Sequence, residues 1–247
     1  MSQLASRTAL VTGGSRGIGA AIARRLAADG ADVAVTYVSS RDKAEAVVAE
    51  IEAAGRRGLA IQSDSADAEQ AAAAVATAAD HFGRLDILVA NAGVAEFVPL
   101  GSETALAVYQ RTFDVNVRGV FAAANAAASR LGEGGRIIVI GSVNAERVPF
   151  PGGAVYGASK AAVAGLVRGW ARDLGPRGVT ANVVQPGPVD TDMNPADGAF
   201  ADHLRSLLAI PKYAEGQDIA AVVAWLAGPE SRYVTGSAVT VDGGFLA

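Results

Sequence analysis

The sequence predicts an α/β fold, a doubly wound three-layer sandwich in which helices cover both faces of a seven-stranded parallel sheet. Short runs rich in valine and isoleucine alternate with longer alanine-rich segments, which is the pattern of parallel strands joined by crossover helices. The short runs lack polar alternation, as expected for strands covered on both faces. Because the alternation never gives way to a second pattern, residues 1–247 are expected to form a single domain.

Each element follows from a local signal. The apolar runs predict strands over residues 8–12, 32–37, 58–62, 87–91, 136–141, 180–185 and 238–241. The alanine-rich amphipathic segments predict helices over residues 19–28, 42–54, 67–82, 104–131, 155–174 and 218–226. Glycine can adopt the left-handed conformation that ends many helices, so four glycines are expected to be helix stops: Gly30, Gly55, Gly83 and Gly175.

Composition excludes several classes of function. The chain has no cysteine, which rules out disulfides and cysteine-ligated metals, and its two histidines, His81 and His203, are too far apart in sequence to suggest a metal site. A net charge of −4 without a basic run argues against nucleic-acid binding. The sequence also lacks a signal-peptide pattern and an apolar run long enough to cross a bilayer, so we expect a cytoplasmic protein without membrane contact.

A glycine cluster follows the first strand. The segment TGGSRGIG leads into a helix, and glycines at a strand-to-helix turn let the backbone approach a ligand while the helix start favours phosphate. This predicts a Rossmann-like dinucleotide site, although its glycine spacing differs from the standard motif and tight turns also need glycine. The expected cofactor contacts in this loop are Gly13, Ser15, Arg16, Gly17, Ile18 and Gly19.

The end of the second strand predicts which dinucleotide is bound. NAD-binding folds carry an acidic residue there for the ribose hydroxyl, and this chain has none. It offers Tyr37, Ser39 and Ser40 instead, followed by Arg41 and Lys43, and Arg16 in the glycine loop can add a further positive charge. We therefore expect NADP(H) rather than NAD(H). A solvated helix start capped by serine is the simpler alternative and is compatible with phosphate binding.

Tyr156 and Lys160 lie four residues apart in the segment AVYGASK, at the start of a predicted helix. Residues at this spacing share one helix face, which places a phenol beside an ammonium. A nearby positive charge favours the phenolate, so the pKa of Tyr156 is expected to be lowered toward the range of acid and base catalysis. The alternative is an ordinary surface pair.

Taken in order, these motifs resemble the short-chain dehydrogenase/reductase family of the compact, single-domain kind. The glycine loop is followed by Asn91-Ala92-Gly93 after the fourth strand, by Ser142 after the fifth, and by Tyr156 with Lys160. The resemblance extends to Asn116 in FDVNVRG, to Pro186-Gly187 after the sixth strand, and to the terminal VDGG. It thus covers nearly the whole chain.

The resemblance implies a role for each of these residues. Tyr156 would be the acid that protonates a carbonyl oxygen, and Ser142 would orient that oxygen. Lys160 would hold the nicotinamide ribose and lower the pKa of the tyrosine, and Asn116 would support a water between Lys160 and solvent. Simpler alternatives are a turn serine at Ser142 and a backbone-satisfied polar side chain at Asn116. The further implied cofactor contacts are Asp64, Ser65, Asn91, Ala92, Gly93, Pro186, Gly187, Val189 and Thr191, together with Tyr156 and Lys160.

The substrate side is predicted to be mostly apolar. A proline-rich stretch, residues 187–212, is too long for an ordinary connection and resembles the family's substrate loop. The expected substrate contacts are Ser142, Asn144, Phe150, Tyr156 and Met193, a lining that suits a small or medium hydrophobic ketone.

Two functions remain open. The intact tyrosine and lysine favour an NADPH-dependent ketone reductase similar to carbonyl reductases and 3-oxoacyl-acyl-carrier-protein reductases. The segments GSVN and QPGP also resemble a bacterial branch described as cyclic-di-GMP-binding biofilm-dispersal mediators, which implies a regulatory nucleotide-binding protein instead. The resemblance further implies a homotetramer, for which residues 122–128 and 161–169 offer small side chains at which helices can approach closely.

Overall fold

Seven parallel strands form the central layer of the computed structural model, which describes residues 3–247. Their order in the sheet is β3-β2-β1-β4-β5-β6-β7. The strands are Thr8–Val11 (β1), Asp32–Tyr37 (β2), Gly58–Gln62 (β3), Ile87–Ala90 (β4), Arg136–Ile140 (β5), Thr180–Pro186 (β6) and Ala238–Val241 (β7). The predicted fold class is confirmed. The strand order reverses between β1 and β4, which is the point where doubly wound sheets bind ligands beyond their carboxyl ends.

Helices cover both faces of the sheet and enclose two hydrophobic cores. The helices are Gly17–Ala28 (α1), Arg41–Ala53 (α2), Ala68–Phe82 (α3), Ala105–Phe113 (α4), Val120–Ala128 (α5), Ala154–Leu174 (α6), Ala201–Ser206 (α7) and Gly216–Ala227 (α8). Helices α1, α2 and α8 pack on one face, and α3, α5 and α6 on the other. Adjacent residues of β1 point into different cores, Val11 into the first and Leu10 into the second, which explains the continuous apolar strands.

The helical segment predicted over residues 104–131 is helical over residues 105–128, but its turns are not all α-helical. Helices α4 and α5 are separated by a π-helical segment, Asp114–Gly119. Its last residue packs tightly, because a Cβ at Gly119 would lie 1.9 Å from the carbonyl oxygen of Ser65. Apolar periodicity does not distinguish the two kinds of helical turn, whereas π-helical turns recur at functional sites. The segment contains Asn116.

Gly175 is the C-cap of α6, as predicted, but its conformation is not left-handed. Its φ is −53°, and it begins a 3₁₀ turn, Gly175–Arg177, whose left-handed stop is Gly178 with φ 71°. The turn continues because proline, the next residue, has the φ that the first positions of a helical turn require. The other three predicted stops have φ values between 76° and 102° and are confirmed: Gly30, Gly55 and Gly83.

The stretch predicted to be a substrate loop has structure of its own. Its start pairs with the segment before α8 through a bridge between Val189 and Ala214, and its middle forms the short helix α7. Sequence periodicity does not detect α7, since six residues are less than two helical turns. The loop therefore runs along the edge of the sheet where the strands end.

Candidate active site

The glycine loop is compact and leaves the start of α1 accessible at the edge of the sheet. Gly13 and Gly17 have φ values of 63° and 53°, which side-chain-bearing residues rarely adopt. A Cβ at Gly19 would lie 2.4 Å from the carbonyl oxygen of Gly13, so the loop and α1 can approach this closely only with glycine there. Ser15 lies in the same turn, and Ile18 in the first turn of α1. This backbone cradle fits a dinucleotide pyrophosphate.

Two side chains from neighbouring strands fix the glycine loop. The amide nitrogen of Asn91 donates to the carbonyl oxygens of Thr12 at 2.9 Å and Gly13 at 3.1 Å. The Thr12 hydroxyl accepts from the backbone nitrogens of Asn91 and Ala92, each at 3.0 Å. Asn91 thus positions the loop and does more than cap its own turn. Thr12 opens the TGGSRGIG segment, but its sequence context assigns it no role.

Beyond β2, the residues expected to bind the 2′-phosphate differ in their burial and in their partners. Tyr37 is buried at the strand end, whereas Ser39 is exposed. Ser40 occupies the N-cap position of α2, but its hydroxyl makes no capping hydrogen bond. Arg41 pairs with Glu45 at 2.7 Å within α2 and so does not join the others. Lys43 and Arg16 point toward a common acceptor, Asp192, at the start of the substrate loop.

The turn after β3 lies beside β4. The Asp64 carboxylate accepts from the backbone nitrogen of Ala66 at 2.9 Å, which shapes the turn into α3. Ser65 lines a small cavity that also touches Ala92 and Gly119. Asp64, Ser65 and Ala92 therefore lie at the carboxyl edge of the sheet, as the family resemblance implies.

Lys160 is buried beneath Tyr156. Its Nζ lies 5.7 Å from the centre of the tyrosine ring and donates to the carbonyl oxygen of Ile140 at 2.9 Å. Burial lowers the pKa of Lys160 to about 8. For Tyr156 the expected lowering of the pKa is wrong. Burial raises the pKa of the phenol, and the neighbouring Ser142 hydroxyl only partly opposes this effect. Removal of the phenol from water therefore determines the direction of the shift.

Ser142 links the tyrosine to the end of β5. Its hydroxyl lies close enough to the Tyr156 phenol to lower its pKa, and it accepts from the backbone nitrogen of Asn144 at 3.1 Å. Asn144 is held in turn by donation from its side-chain amide to the carbonyl oxygen of Arg147 at 2.9 Å. Ser142 is therefore both a turn serine and a neighbour of the phenol, so the two sequence interpretations are compatible.

The side chain of Asn116 makes three hydrogen bonds in a buried polar network. Its amide oxygen accepts from the backbone nitrogen of Val94 at 2.8 Å, and its amide nitrogen donates to the Val94 carbonyl at 2.9 Å and to the Ser159 hydroxyl at 3.1 Å. Ser159 donates to the carbonyl oxygen of Tyr156 at 2.7 Å. A Cβ at Gly93 would lie 3.2 Å from the Asn116 oxygen and 3.4 Å from Lys160 Nζ, so these two groups flank Gly93. Sequence reasoning does not single out Ser159.

An aromatic wall, formed by Phe97, Phe150 and Tyr156, lines one side of the site. Phe97 packs edge-on against Phe150, with ring centres 5.2 Å apart, and against Tyr156, with ring centres 5.9 Å apart. Phe97 is nevertheless 53% exposed. Phe150 is among the predicted substrate contacts, whereas Phe97 lies in a loop without a motif and is found only through its position. Met193, from the substrate loop, is also exposed.

The substrate loop begins close to the glycine loop. Pro186 ends β6, and Gly187 donates to the carbonyl oxygen of Val241 at 2.9 Å. Val189 is buried in the core, which leaves its backbone as the part that can face a cofactor. The methyl group of Thr191 lies 3.4 Å from the position that a Cβ on Gly17 would occupy. Two stretches of the sequence that are predicted to bind the cofactor thus meet in space.

Residues 3–247 contain no cluster of three or more metal-ligating side chains. Within the same range, no helix is both long and apolar enough to cross a membrane.

The family model described as Enoyl-(Acyl carrier protein) reductase matches residues 13–246, nearly the whole chain. The chain belongs to the short-chain dehydrogenase/reductase family. It is 47% identical to the cyclic-di-GMP-binding biofilm dispersal mediator protein of Escherichia coli (strain K12), with 99% of each chain covered. It is 39% identical to a hydroxynaphthalene reductase-like protein of Metarhizium majus (strain ARSEF 297), covering 98% of this chain and 95% of that one.

The structure of this short-chain dehydrogenase/reductase also matches a solved NADP complex. The short chain dehydrogenase from Burkholderia cenocepacia J2315 in complex with NADP is 57% identical in sequence and superposes with a TM-score of 0.97. The match covers 99% of this chain and 100% of that chain. The expected cofactor, NADP(H), is thereby confirmed. The backbone cradle formed by the glycine loop fits the pyrophosphate of NADP(H).

Proposed function

We propose that this protein is an NADPH-dependent reductase that converts a ketone to an alcohol, and that the reaction is reversible. The observation that carries the proposal is the arrangement around Tyr156, with the Ser142 hydroxyl beside its phenol, Lys160 buried beneath it and an aromatic wall to one side. A protein that only binds nucleotides has no need of a phenol, a hydroxyl and an ammonium grouped in this way.

The proposed proton donor is Tyr156. NADPH, when bound, supplies a hydride to the carbonyl carbon, and negative charge then develops on the carbonyl oxygen. The raised pKa of Tyr156 keeps the phenol protonated at neutral pH, which is the form that a reduction needs. The Ser142 hydroxyl adds a second hydrogen bond at that oxygen. In the oxidation direction the same phenol would first have to lose its proton.

Lys160 and Asn116 are proposed to support the donor. With a pKa of about 8, Lys160 is mostly charged at neutral pH, so its ammonium stabilises the phenolate left after proton donation. The amide oxygen of Asn116 accepts one hydrogen bond, from Val94, and retains a second lone pair. A water held there beside Lys160 would return the proton from solvent.

The proposed substrate is an aryl ketone. An aromatic ring placed edge-on or offset against Phe97 gains about 0.5–1.5 kcal/mol beyond the burial of its apolar area, and the wall ends at the proton donor Tyr156. The hydroxynaphthalene reductase-like relative is named for an aromatic substrate, which supports this choice. Ser142, Asn144, Phe150, Tyr156 and Met193 remain the proposed substrate contacts, and residues 187–212 remain the proposed substrate loop.

A second candidate is a regulatory protein that binds cyclic-di-GMP and has little or no reductase activity. The name of the E. coli relative supports it. The test measures the loss of NADPH absorbance with a panel of aryl and alkyl ketones, alongside a titration with cyclic-di-GMP. We expect turnover with at least one aryl ketone. Tight cyclic-di-GMP binding without turnover of any carbonyl would contradict the reductase and favour the second candidate.

We further propose that the cofactor contacts are the residues predicted above, that residues 1–247 act as one domain, and that the protein is a cytoplasmic homotetramer. The assembly is supported by a shallow exposed groove along α6, lined by Val117, Ala162, Gly165, Leu166, Gly169, Trp170 and Asp173. Most of these residues are small or apolar, which suits close contact between helices.

A further inference from the structure

Two basic side chains from different elements converge on one carboxylate oxygen of the substrate loop. Arg16 lies 3.4 Å and Lys43 3.5 Å from the same atom, Oδ2 of Asp192. All three side chains are more than half exposed, so the contacts are accessible to solvent and to ligands. The geometry defines a point at which a single anionic oxygen meets two positive charges.

This point lies where two helices begin. Arg16 is the residue that precedes α1, and Lys43 lies in the first turn of α2. Helix N-termini carry a partial positive charge that favours anions. Arg41, in the same turn as Lys43, is paired with Glu45 and does not contribute. The charges of Arg16 and Lys43 therefore add to the two helix ends in attracting an anion.

An ordered turn holds Asp192 beside Arg16 and Lys43. Thr191 and Asn194 exchange backbone hydrogen bonds, from Thr191 N to Asn194 O at 3.4 Å and from Asn194 N to Thr191 O at 3.0 Å. Asp190 donates from its backbone nitrogen to Ala214 at 2.9 Å. Asp192 therefore lies at the tip of a turn that is anchored on both sides, and its carboxylate can leave the basic pair by rotating its own side chain.

We propose that Asp192 occupies the subsite for the 2′-phosphate of NADP(H) and gives way when that phosphate binds. A phosphate monoester carries a charge of about −1.5 to −2 at neutral pH and offers the same kind of oxygen acceptor as a carboxylate. Contact of both the carboxylate and the phosphate with Arg16 and Lys43 would place two anions side by side, which is electrostatically unfavourable. NAD(H) has no 2′-phosphate and leaves the three side chains undisturbed.

Asp192 is then a specificity-determining residue that restrains the preference for NADP(H). Displacing the Asp192 carboxylate breaks two exposed ion pairs. Each such pair typically changes an equilibrium constant by a factor of about 1.4 to 5. We therefore expect the carboxylate to weaken NADP(H) binding by about three- to tenfold and to leave NAD(H) binding unchanged. The effect is electrostatic and decreases as salt is added.

The test compares Asp192→Asn with wild type in direct binding titrations. NADPH and NADH are titrated separately, without ketone, and binding is followed by nicotinamide fluorescence. We expect the Kd for NADPH to fall about three- to tenfold at low salt and the Kd for NADH to stay the same. Asp197→Asn, which removes an exposed carboxylate from the same loop, is the matched control and should change neither constant.

A double-variant cycle establishes whether the effect acts through the basic pair. In a Lys43→Gln background, Asp192→Asn should improve NADPH binding by a smaller factor than in wild type. Unchanged or weaker NADPH binding by Asp192→Asn, or an equal gain for NADH, would overturn the proposal. Because no turnover is measured, these results are independent of whether the protein reduces ketones.

Discussion

Burial of the Lys160 ammonium lowers its pKa from 10.5 to about 8, which corresponds to roughly 3 kcal/mol of folding free energy. Below pH 8 both the folded and the unfolded protein hold this proton, and the full destabilisation is present. Between pH 8 and 10.5 the unfolded state binds more protons, so the free energy of unfolding rises with pH. The side chain proposed to support the chemistry thus destabilises the fold at neutral pH.

Lys160→Met keeps the length of the side chain and removes the charge. We expect the variant to be more stable than wild type at pH 7 by about 1–3 kcal/mol, the lower value allowing for the lost hydrogen bond to Ile140. Urea denaturation at several pH values measures the difference. The gain should shrink as the pH rises toward 10.5, because wild type then buries a neutral amine.

Lys212→Met is the matched control, since Lys212 is exposed. Its effect on stability should be small and should not follow the same pH dependence. A Lys160→Met variant that is less stable than wild type at pH 7, or a gain that is the same at every pH, would contradict the assigned burial of the charge.

Residues that belong to motifs were predictable from the sequence, and residues defined by position were not. Tyr156, Lys160, Ser142 and Asn116 were found because each has a recognisable sequence context. Phe97 contributes to the aromatic wall through ring contacts with Phe150 and Tyr156. Both residues are more than fifty positions away in the sequence, so no local pattern reveals these contacts. The pKa of Tyr156 was predicted in the wrong direction because a sequence gives the neighbouring charge but not the loss of water around the phenol.

The π-helical segment Asp114–Gly119 is the element whose structure departs most from the sequence prediction. It brings Asn116 to Val94 and Ser159, and it packs its last residue against the β3–α3 turn. Alanine periodicity predicted that this region is helical and that one face is buried. It could not predict the wider turn, since that depends on contact with Ser65, far away in the sequence.

Gly119→Ala tests this packing. The added Cβ would lie 1.9 Å from the Ser65 carbonyl oxygen, and backbone must move to relieve the clash. We expect a loss of about 1–3 kcal/mol in the free energy of unfolding and weaker NADPH binding, because Ser65 is a proposed cofactor contact. Chemical denaturation and fluorescence titration measure the two effects.

Gly169→Ala provides the comparison, because a Cβ at Gly169, also within a helix, meets no atom within 4 Å in one chain. That substitution should not destabilise the single chain, since alanine is favoured over glycine in helices by about 1 kcal/mol. Equal effects of the two substitutions on the free energy of unfolding of the single chain would show that the contact with Ser65 is not what constrains Gly119.

At the scale of the whole molecule, the fold class and the position of the site were predictable together. The alternation of strands and helices predicts a doubly wound sheet, and such a sheet gathers strand ends at one edge. That edge of the sheet brings together residues that are spread over much of the chain: the glycine loop, Asn91, Ser142 and Tyr156. What the sequence does not reveal is how the substrate loop returns to Arg16 and Lys43.

The proposed homotetramer predicts that the groove along α6 is buried between copies. Gly165 lies in this groove, and a Cβ there meets no atom within 4 Å in one chain. Gly165→Arg should therefore leave the far-ultraviolet circular dichroism spectrum unchanged while lowering the mass measured by light scattering. A wild-type monomer at micromolar concentration, or a variant with the wild-type mass, would contradict this interface.

The central claim, that Tyr156 protonates a carbonyl oxygen as hydride arrives from NADPH, is tested most directly by isotope transfer. NADPH deuterated at both C4 positions is mixed with an aryl ketone, and the alcohol is analysed by mass spectrometry for wild type and Tyr156→Phe. We predict one deuterium on the carbinol carbon with wild type and a rate at least about a hundredfold lower with Tyr156→Phe, with a similar Kd for NADPH. Product without deuterium, or wild-type rates in Tyr156→Phe, would contradict the claim.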